Sequence, residues 1–551
     1  MTTVPESQTL GLGRPTWIPS TTGFLEAWVH LPQDGRPDRV VVLAPSSGRE
    51  QATSHRAMRQ LAIDLAASGA MAVRFSWTGT GSSSDLDSED PAGVWIEDLR
   101  AVLRWCHGQV DLPTQVLGLR LGAVIAANAV GALGDVRLLL WDPAFSGRTF
   151  LRQQRGLLMA IVPGAIDVAE GGSAGPGTYH TQAQARSIGD LGLPGILARP
   201  DRILVLTREA PIETRVLRRL SDAGATVEPV AGQEAMVDAL SEESIVPTET
   251  LARIVRWSVT QERGRPAPVA GHFTQVADNP RFRETFVQVG PSGLPGLLTE
   301  PLTAPTGAVL LVGGSSEPMD GPSGLWSYTA RRLAEQGFTV LRFDRHGVGD
   351  AAYPGDITQP SPYQPLAVAD LGDALRWLRE RTHLLPHGVG LCAGGTLLLQ
   401  PNLRDLLASV CAVNVGLWSV RPSTRTLTMP EAWGQAAAPT RTTGLKRRVG
   451  RRAQRSLPFP VWRRLARTLS LNSPADLILG GDSITRMTLV MSDHDHAVFR
   501  AKRGPDALRV ARSRGRRIAV QQPPGIDHAL FLPGCREALL TSIITHLEEP
   551  G

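Results

Sequence analysis

The chain repeats itself at the length of a whole domain, and no other feature constrains its fold as much. Arg39-Val40-Val41-Val42-Leu43-Ala44-Pro45 is answered by Gly307-Ala308-Val309-Leu310-Leu311-Val312-Gly313. Arg74-Phe75-Ser76, then Gly79-Thr80-Gly81, is answered by Arg342-Phe343-Asp344, then Gly347-Val348-Gly349. Asp98, Leu103, Arg104 and Trp105 match Asp370, Leu375, Arg376 and Trp377, and Trp105 precedes Arg120 by the distance at which Trp377 precedes Cys392. A chain of 551 residues is too long for one ordinary domain. A period this long is not that of a solenoid. The pattern predicts one domain written twice, over residues 1–262 and 276–551. The join at 263–275 contains Arg263-Gly264-Arg265-Pro266-Ala267-Pro268 and has no periodicity.

Inside each copy, short apolar runs alternate with helical patterns. In the first, Val40–Leu43, Ala72–Phe75 and Gln115–Leu119 read as strands. His55–Ser68, with Met58, Leu61, Ala62 and Leu65 on one face, and Val94–Cys106 read as helices. Continuous apolar strands separated by helices predict a parallel sheet covered on both faces. No apolar run approaches the roughly 20 residues of a membrane span. The N-terminus lacks the basic-then-apolar layout of a signal peptide. Four scattered cysteines (Cys106, Cys392, Cys411, Cys535) form no C-x-x-C pair, which points to a reducing cytoplasm and away from disulfides or zinc. The net charge of +5 is too mild to imply nucleic acid.

The chemistry centres on Gly390-Leu391-Cys392-Ala393-Gly394, a G-x-[S/C]-x-G box with cysteine at its middle. Such a box turns sharply from strand to helix and holds its central residue strained, so bulky neighbours would clash. The first copy carries Gly118-Leu119-Arg120-Leu121-Gly122, with arginine in the nucleophile slot. Strand, helix, strand, glycine-rich turn, helix, strand and elbow is the order of an α/β-hydrolase. The chain resembles that family over nearly its whole length, twice. The Gly-Leu-Cys box, Phe343–Asp350 and the late Asp527-His528 look most like the hydrolases associated with exosortase systems, and the Gly-Leu-Arg-Leu-Gly box resembles a partner group in that set. Cys392 with Gly394-Gly395-Thr396 also resembles the box of polyester synthases, a resemblance that stops at the elbow. The implied fold is two tandem α/β-hydrolase domains, with doubly wound, mostly parallel sheets, helices on both faces and a helical cap in the second.

The resemblance implies a triad in the order nucleophile, acid, histidine. Cys392 is then the nucleophile. The strand Arg486–Met491 leads to Ser492-Asp493-His494-Asp495-His496, where the family's Ser-x-x-Asp spacing favours Asp495 as the acid and leaves Asp493 as runner-up. The strand Arg517–Val520 leads to His528, followed by a closing helix over Cys535–Leu547. The oxyanion donors expected are the N–H of Ala393 and one from Gly314 or Ser315. His494 and His496 have no metal-binding spacing, and neither metal nor cofactor is called for. Asp344 and Asp350 read as fixing the glycine-rich turn.

In the first copy, Arg120 cannot attack a carbonyl, because its guanidinium stays protonated. After Arg202–Leu206 only Glu209 offers an acid, and no histidine lies between His180 and His272. This reads as a pseudo-enzyme domain, or as one in which Arg120 binds a ligand carboxylate or phosphate. From Arg421 to Arg467, inside the cap expected at about 418–482, twelve basic side chains occur against a single acid, Glu431. The patch Lys446, Arg447, Arg448, Arg451 and Arg452 predicts either a solvated face or an anionic partner such as a carrier protein, CoA, or an anionic polymer or lipid surface. The activity expected is acyl transfer from an ester or thioester through a Cys-linked thioester, with water, an alcohol or an amine as acceptor. The competing reading is a non-catalytic ligand-binding or assembly scaffold. Nothing in the sequence speaks to oligomeric state.

Overall fold

The computed structural model describes residues 13–549, apart from 132, 134, 163–170, 195–198, 210–214, 240, 242, 315, 352–361, 419–456, 469–471 and 481–485. The chain divides into two compact units. One runs to Asn279 and takes in Glu284–Phe286 and Asp320–Tyr328; the rest forms the other.

The first sheet uses β1 (Arg14–Ser20), β2 (Gly23–His30), β3 (Arg39–Ala44), β4 (Ala70–Phe75), β5 (Thr114–Leu119) and β6 (Arg137–Trp141). After a separate hairpin of β7 (Ser173–Gly175) and β8 (Thr178–His180), it is completed by β9 (Ile203–Arg208) and β10 (Thr226–Val230). The order is β1-β2-β4-β3-β5-β6-β9-β10, with β1 and β2 antiparallel and the strands from β4 onward parallel. Side chains alternate along β3. Val40, Val42 and Ala44 pack with Trp95 and Leu99 of the helix Pro91–Gln109 and with Val124 of the helix Leu121–Val130. Val41 and Leu43 pack on the other face with Leu61 and Leu65 of the helix Arg49–Ala67 and with Leu251 of the helix Thr248–Thr260. The continuous apolar run is therefore a strand buried on both faces.

The second sheet holds β11 (Val276–Asp278), β12 (Phe282–Val289), β13 (Leu294–Pro301), β14 (Gly307–Val312), β15 (Phe338–Phe343), β16 (His387–Leu391), β17 (Ser409–Val413), β18 (Arg486–Val490) and β19 (Arg517–Gln521). Its order is β11-β12-β13-β15-β14-β16-β17-β18-β19. β13 is antiparallel to β15, and the strands from β14 to β19 are parallel. Ala308, Leu310 and Val312 share one core with Leu371 and Leu375 of the helix Pro365–Thr382. The opposite face is covered by the closing helix Cys535–Glu548, whose Leu539 and Ile543 are fully buried. The fold class is the one expected, two α/β units with doubly wound sheets.

Two local features differ from the expectation. Residues 263–275 are not a free linker. Gly264 N–H donates to Asp38 O at 2.8 Å, Ala267 N–H to Pro37 O at 3.1 Å and Ala270 N–H to Gln109 O at 2.9 Å, and Arg263 pairs with Asp38. Chain without periodicity can still satisfy its backbone on a neighbouring surface, which pattern alone does not reveal. The first unit also has an insertion between β6 and β9, containing the helix Gly147–Ile161 and the β7–β8 hairpin. Of the expected cap, the patch Lys446, Arg447, Arg448, Arg451 and Arg452 lies outside the described residues. The helix Phe459–Thr468 is described, with Trp462 and Ala466 buried and Arg464 and Arg467 exposed.

On the face of the second sheet under the closing helix, a polar chain is buried. Ser409 Oγ lies 2.7 Å from His387 Nδ1 and 2.8 Å from His546 Nε2, and His546 Nδ1 lies 2.7 Å from Thr488 Oγ1. Burial, followed by Arg486 and the neighbouring histidine, pulls His546 down to about 3; burial and Arg486 pull His387 down to about 4. Both imidazoles are neutral in the folded protein, whereas the unfolded chain takes up their protons below about pH 6.5. Stability of this unit should fall as pH drops from about 6.5 toward 4. Denaturant midpoints across that range should fall with a shallower slope in His546→Gln than in the parent; equal slopes would remove the histidines as the cause.

Candidate active site

The parallel strands β14, β16, β18 and β19 all end on one edge of the second sheet, so the loops that follow them converge. Cys392 follows β16 and opens the helix Ala393–Leu398 with φ 48° and ψ −107°. A non-glycine residue held there costs on the order of 1–3 kcal/mol. The turn is fixed by Cys392 N–H donating to Val413 O at 2.8 Å. The flanking glycines are required by close approach. A Cβ on Gly390 would lie 2.5 Å from the backbone of Gly394, and one on Gly394 would lie 2.5 Å from Val312 O.

Asp495 sits in the first turn of the helix Asp493–Ala501. Ser492 caps that helix, accepting Asp495 N–H at 3.1 Å and donating its hydroxyl to Asp495 Oδ2 at 2.5 Å. The other carboxylate oxygen, Oδ1, lies 2.8 Å from His528 Nδ1. Asp495 is buried, and Asp493 is exposed. It is Asp495 that faces the imidazole.

His528 stands in the loop after β19 and is buried together with Asp495. That loop is tied in two ways. The Asp527 carboxylate accepts N–H groups from Ala529, Phe531 and Leu532 at 2.7–3.1 Å. Asn414, at φ 46°, donates through Nδ2 to the carbonyls of Asp527 and His528 at 2.9 Å and accepts Ser492 N–H at 2.8 Å. One side chain thus joins the acid loop to the histidine loop. Burial pulls the imidazole down, but the Cys392 sulfur and Asp495, by charge and hydrogen bond, outweigh it and hold His528 up at about 10. The ring thus stands between two groups, the Cys392 sulfur and the Asp495 carboxylate, that both favour its protonated form.

Of the expected oxyanion donors, Ala393 begins the helix after the elbow and is fully buried. Gly314 lies against the elbow, where an added Cβ would stand 3.9 Å from Cys392 Cβ. Ser315 lies outside the described residues. Among the described residues no group of three His, Cys, Asp or Glu side chains is placed to hold a metal ion. The turn after β15 uses its acids as anchors. Asp344 accepts Met319 N–H and Asp350 N–H at 2.8 Å each, and Asp370 accepts His346 N–H at 3.0 Å and faces His346 Nδ1 at 2.8 Å. In the first unit Asp98 holds Thr78 by two bonds of 2.9 and 3.0 Å at the matching turn.

The first unit keeps the elbow and changes its occupant. Arg120 has φ 55° and ψ −116°, and its N–H donates to Trp141 O at 3.0 Å. Its guanidinium is buried and fully engaged by the chain itself. It reaches Glu50 at 3.3 Å, Asp142 at 3.5 Å and Gln153 Oε1 at 2.6 Å. Asp142 pairs in turn with Arg208 at 3.0 Å, and Arg208 with Asp238 at 2.6 Å. Gln153 and Gln154 come from the inserted helix, and Gln154 donates to Glu50 at 2.8 Å. Glu209, the only acid the sequence offered after that strand, is exposed. An anionic ligand at Arg120 would have to displace carboxylates already in place.

No family model matches the chain, and no curated protein matches it. Several solved structures do. A serine hydrolase without a lid from Xanthomonas campestris is 15% identical with a TM-score of 0.29, over 50% of this chain and 99% of its own. A dienelactone hydrolase from Anabaena variabilis is 15% identical with a TM-score of 0.30, over 50% and 97%. A thioesterase domain from the curacin biosynthetic pathway is 14% identical with a TM-score of 0.30, over 44% and 99%.

Two tests follow from this geometry. A Cβ on Gly416 would lie 3.1 Å from Cys392 Sγ and 3.6 Å from Tyr363 Oη. Gly416→Ala should therefore slow alkylation of Cys392 by iodoacetamide at least tenfold with little change in melting temperature; an unchanged rate would mean Sγ points elsewhere. In the parent, the His528 ring should titrate by NMR near pH 10, and Asp495→Asn should move that titration to lower pH because one of its supports is lost. A parent ring titrating near 6.5 would break the ion-pair assignment.

Proposed function

We propose that the chain is an acyl-transfer enzyme whose second unit works through a thioester on Cys392 and whose first unit is non-catalytic. The single observation that carries this reading is the continuous contact chain from Cys392 through His528 to Asp495, at the ends of three parallel strands. In this reading the first copy spans 1–262, the working copy 276–551, and the two arose by duplication. The matching backbone angles of Arg120 and Cys392 support that origin.

The steps follow from the residues. Cys392 Sγ attacks the acyl carbon, and the carbonyl electron pair moves to oxygen. The N–H of Ala393 and an N–H of the loop after β14 (Gly314 or Ser315) receive that oxyanion. Each such donor is worth about 2.7–4 kcal/mol in a transition state. His528, already protonated, gives its proton to the leaving oxygen or sulfur as the tetrahedral centre collapses to the thioester. The neutral ring then takes a proton from the acceptor, which attacks the thioester and frees Cys392. With water the reaction is that of an esterase or thioesterase; with an alcohol or amine it is that of an acyltransferase. Asp495 holds the ring in one tautomer throughout. No step calls for a cofactor. The basic cap sequence suits an anionic donor, CoA or a carrier protein, with Lys446, Arg447, Arg448, Arg451 and Arg452 as its docking charges.

The competing reading, a scaffold without chemistry, makes the opposite forecast for one experiment. Intact mass spectrometry after brief exposure to a panel of acyl thioesters and activated esters should show an adduct of one acyl group on the parent. Cys392→Ala should show none while keeping its fold, and Cys392→Ser should form it far more slowly. A parent that never acquires an acyl group, or an alanine variant that still does, would leave the scaffold reading standing.

A further inference from the structure

Two consecutive residues at the end of β17 bond to all three loops that bring Cys392, Asp495 and His528 together. Val413 O accepts the N–H of Cys392 at 2.8 Å. Asn414, fully buried, sends its own N–H to Val490 O at 2.8 Å, at the end of β18. Its side chain serves the other two loops. Oδ1 accepts Ser492 N–H at 2.8 Å, and Nδ2 donates to Asp527 O and His528 O at 2.9 Å each. A side-chain amide offers a carbonyl oxygen and an NH2 group, and here both are in use. The backbone stands at φ 46°, a conformation that asparagine adopts more readily than most residues.

The first unit shows the same position without a nucleophile in the elbow. Asp142 follows β6 as Asn414 follows β17, with φ 44° and its N–H on Leu206 O at 2.7 Å. Trp141 O, just before it, accepts Arg120 N–H at 3.0 Å, as Val413 O accepts that of Cys392. The backbone is alike in the two copies and the side chain is not. The Asp142 carboxylate turns to cations, Arg120 at 3.5 Å and Arg208 at 3.0 Å. A carboxylate without a proton has no donor, so it could not hold two carbonyls as the amide does. The acid stands in the copy with Arg120 and no histidine between His180 and His272; the amide stands in the copy with Cys392 and His528.

We infer that Asn414 is the positioning residue that sets His528 against Asp495. The 2.8 Å contact of His528 Nδ1 with Asp495 Oδ1 spans two separate loops. Asn414 is bonded to the backbone of both, at Ser492 on one side and at Asp527 and His528 on the other. Without the amide, the histidine loop keeps the bonds that the Asp527 carboxylate makes within it and loses this tie to the acid loop. The assignment rests on Cys392, His528 and Asp495 working as one unit. A residue that only supported the fold would weaken catalysis whatever stands at position 495. A residue that sets the acid–imidazole pair should matter only while that pair exists.

The test is a double-mutant cycle on the full chain. Single-turnover acylation by an activated acyl ester is measured in the parent, Asn414→Gly, Asp495→Asn and the double variant. Glycine is at ease at φ 46°, so the turn itself is not penalised. Misplacing a catalytic group by about 1 Å can cost about 100-fold in rate. Asn414→Gly should accordingly lower the saturating acylation rate on the order of 10- to 100-fold, with the half-saturating ester concentration within about threefold of the parent. In the Asp495→Asn background the same change should cost less than about threefold. The His528 ring, followed by NMR, should titrate at lower pH in Asn414→Gly than in the parent, because its contact with the carboxylate is loosened. Should the glycine variant not fold, Asn414→Ser, which keeps a hydroxyl there, carries the same comparisons. Equal losses with and without the Asp495 carboxylate, or an unchanged acylation rate, would overturn the assignment. A parent that never acylates would overturn the thioester reading alone; the titration then decides, and an unmoved His528 ring would overturn the role of Asn414 as well.

Discussion

Everything at the edge of the second sheet depends on one backbone constraint, the reversal at Cys392. A residue at φ 48° is held only because its N–H continues the ladder to Val413 and because Gly390 and Gly394 let the helix pass within touching distance of β14 and β16. This packing lifts the sulfur above the ends of the parallel strands. Loops after β14, β18 and β19 can then reach it without any strand changing register. The cost of the strained residue is met by the surrounding close packing, as expected of a functional turn.

The two units place opposite electrostatics on nearly the same backbone. In the second, the His528 ring is held between the Cys392 sulfur and the Asp495 carboxylate, both of which favour its protonated form. In the first, Arg120 is neutralised by Glu50 and Asp142, and Arg208 and Asp238 extend the pairing. Removing one partner from such a buried network leaves an uncompensated charge, typically a loss of about 3–5 kcal/mol. Arg120 is therefore a structural tie between the sheet and the inserted helix that supplies Gln153 and Gln154.

Much of this was legible in the sequence because strand ends and residue types announce themselves. The apolar runs at β3, β4 and β5 and the box around Cys392 could each be placed by pattern, and the late Asp495 and His528 by the chain order that the family resemblance implies. What escaped was geometry carried by single polar residues. Asn414 links two loops through a left-handed backbone that only the fold reveals, and Gly416 matters for the space it leaves beside Sγ. The sequence reading placed no strand at β1, where Pro15 and Pro19 weaken the signal.

The cysteine inventory has a consequence for how the molecule can be followed. Cys106, Cys411 and Cys535 are buried with thiols pushed up, the last two to about 12, while Cys392 alone is partly open. A thiol reagent therefore counts one site on the native protein and the others only as their surroundings open. Cys106 belongs to the first unit and Cys411 and Cys535 to the second, so labelling order reads out which unit opens first. The chain carries its own pair of unfolding reporters, without any introduced label.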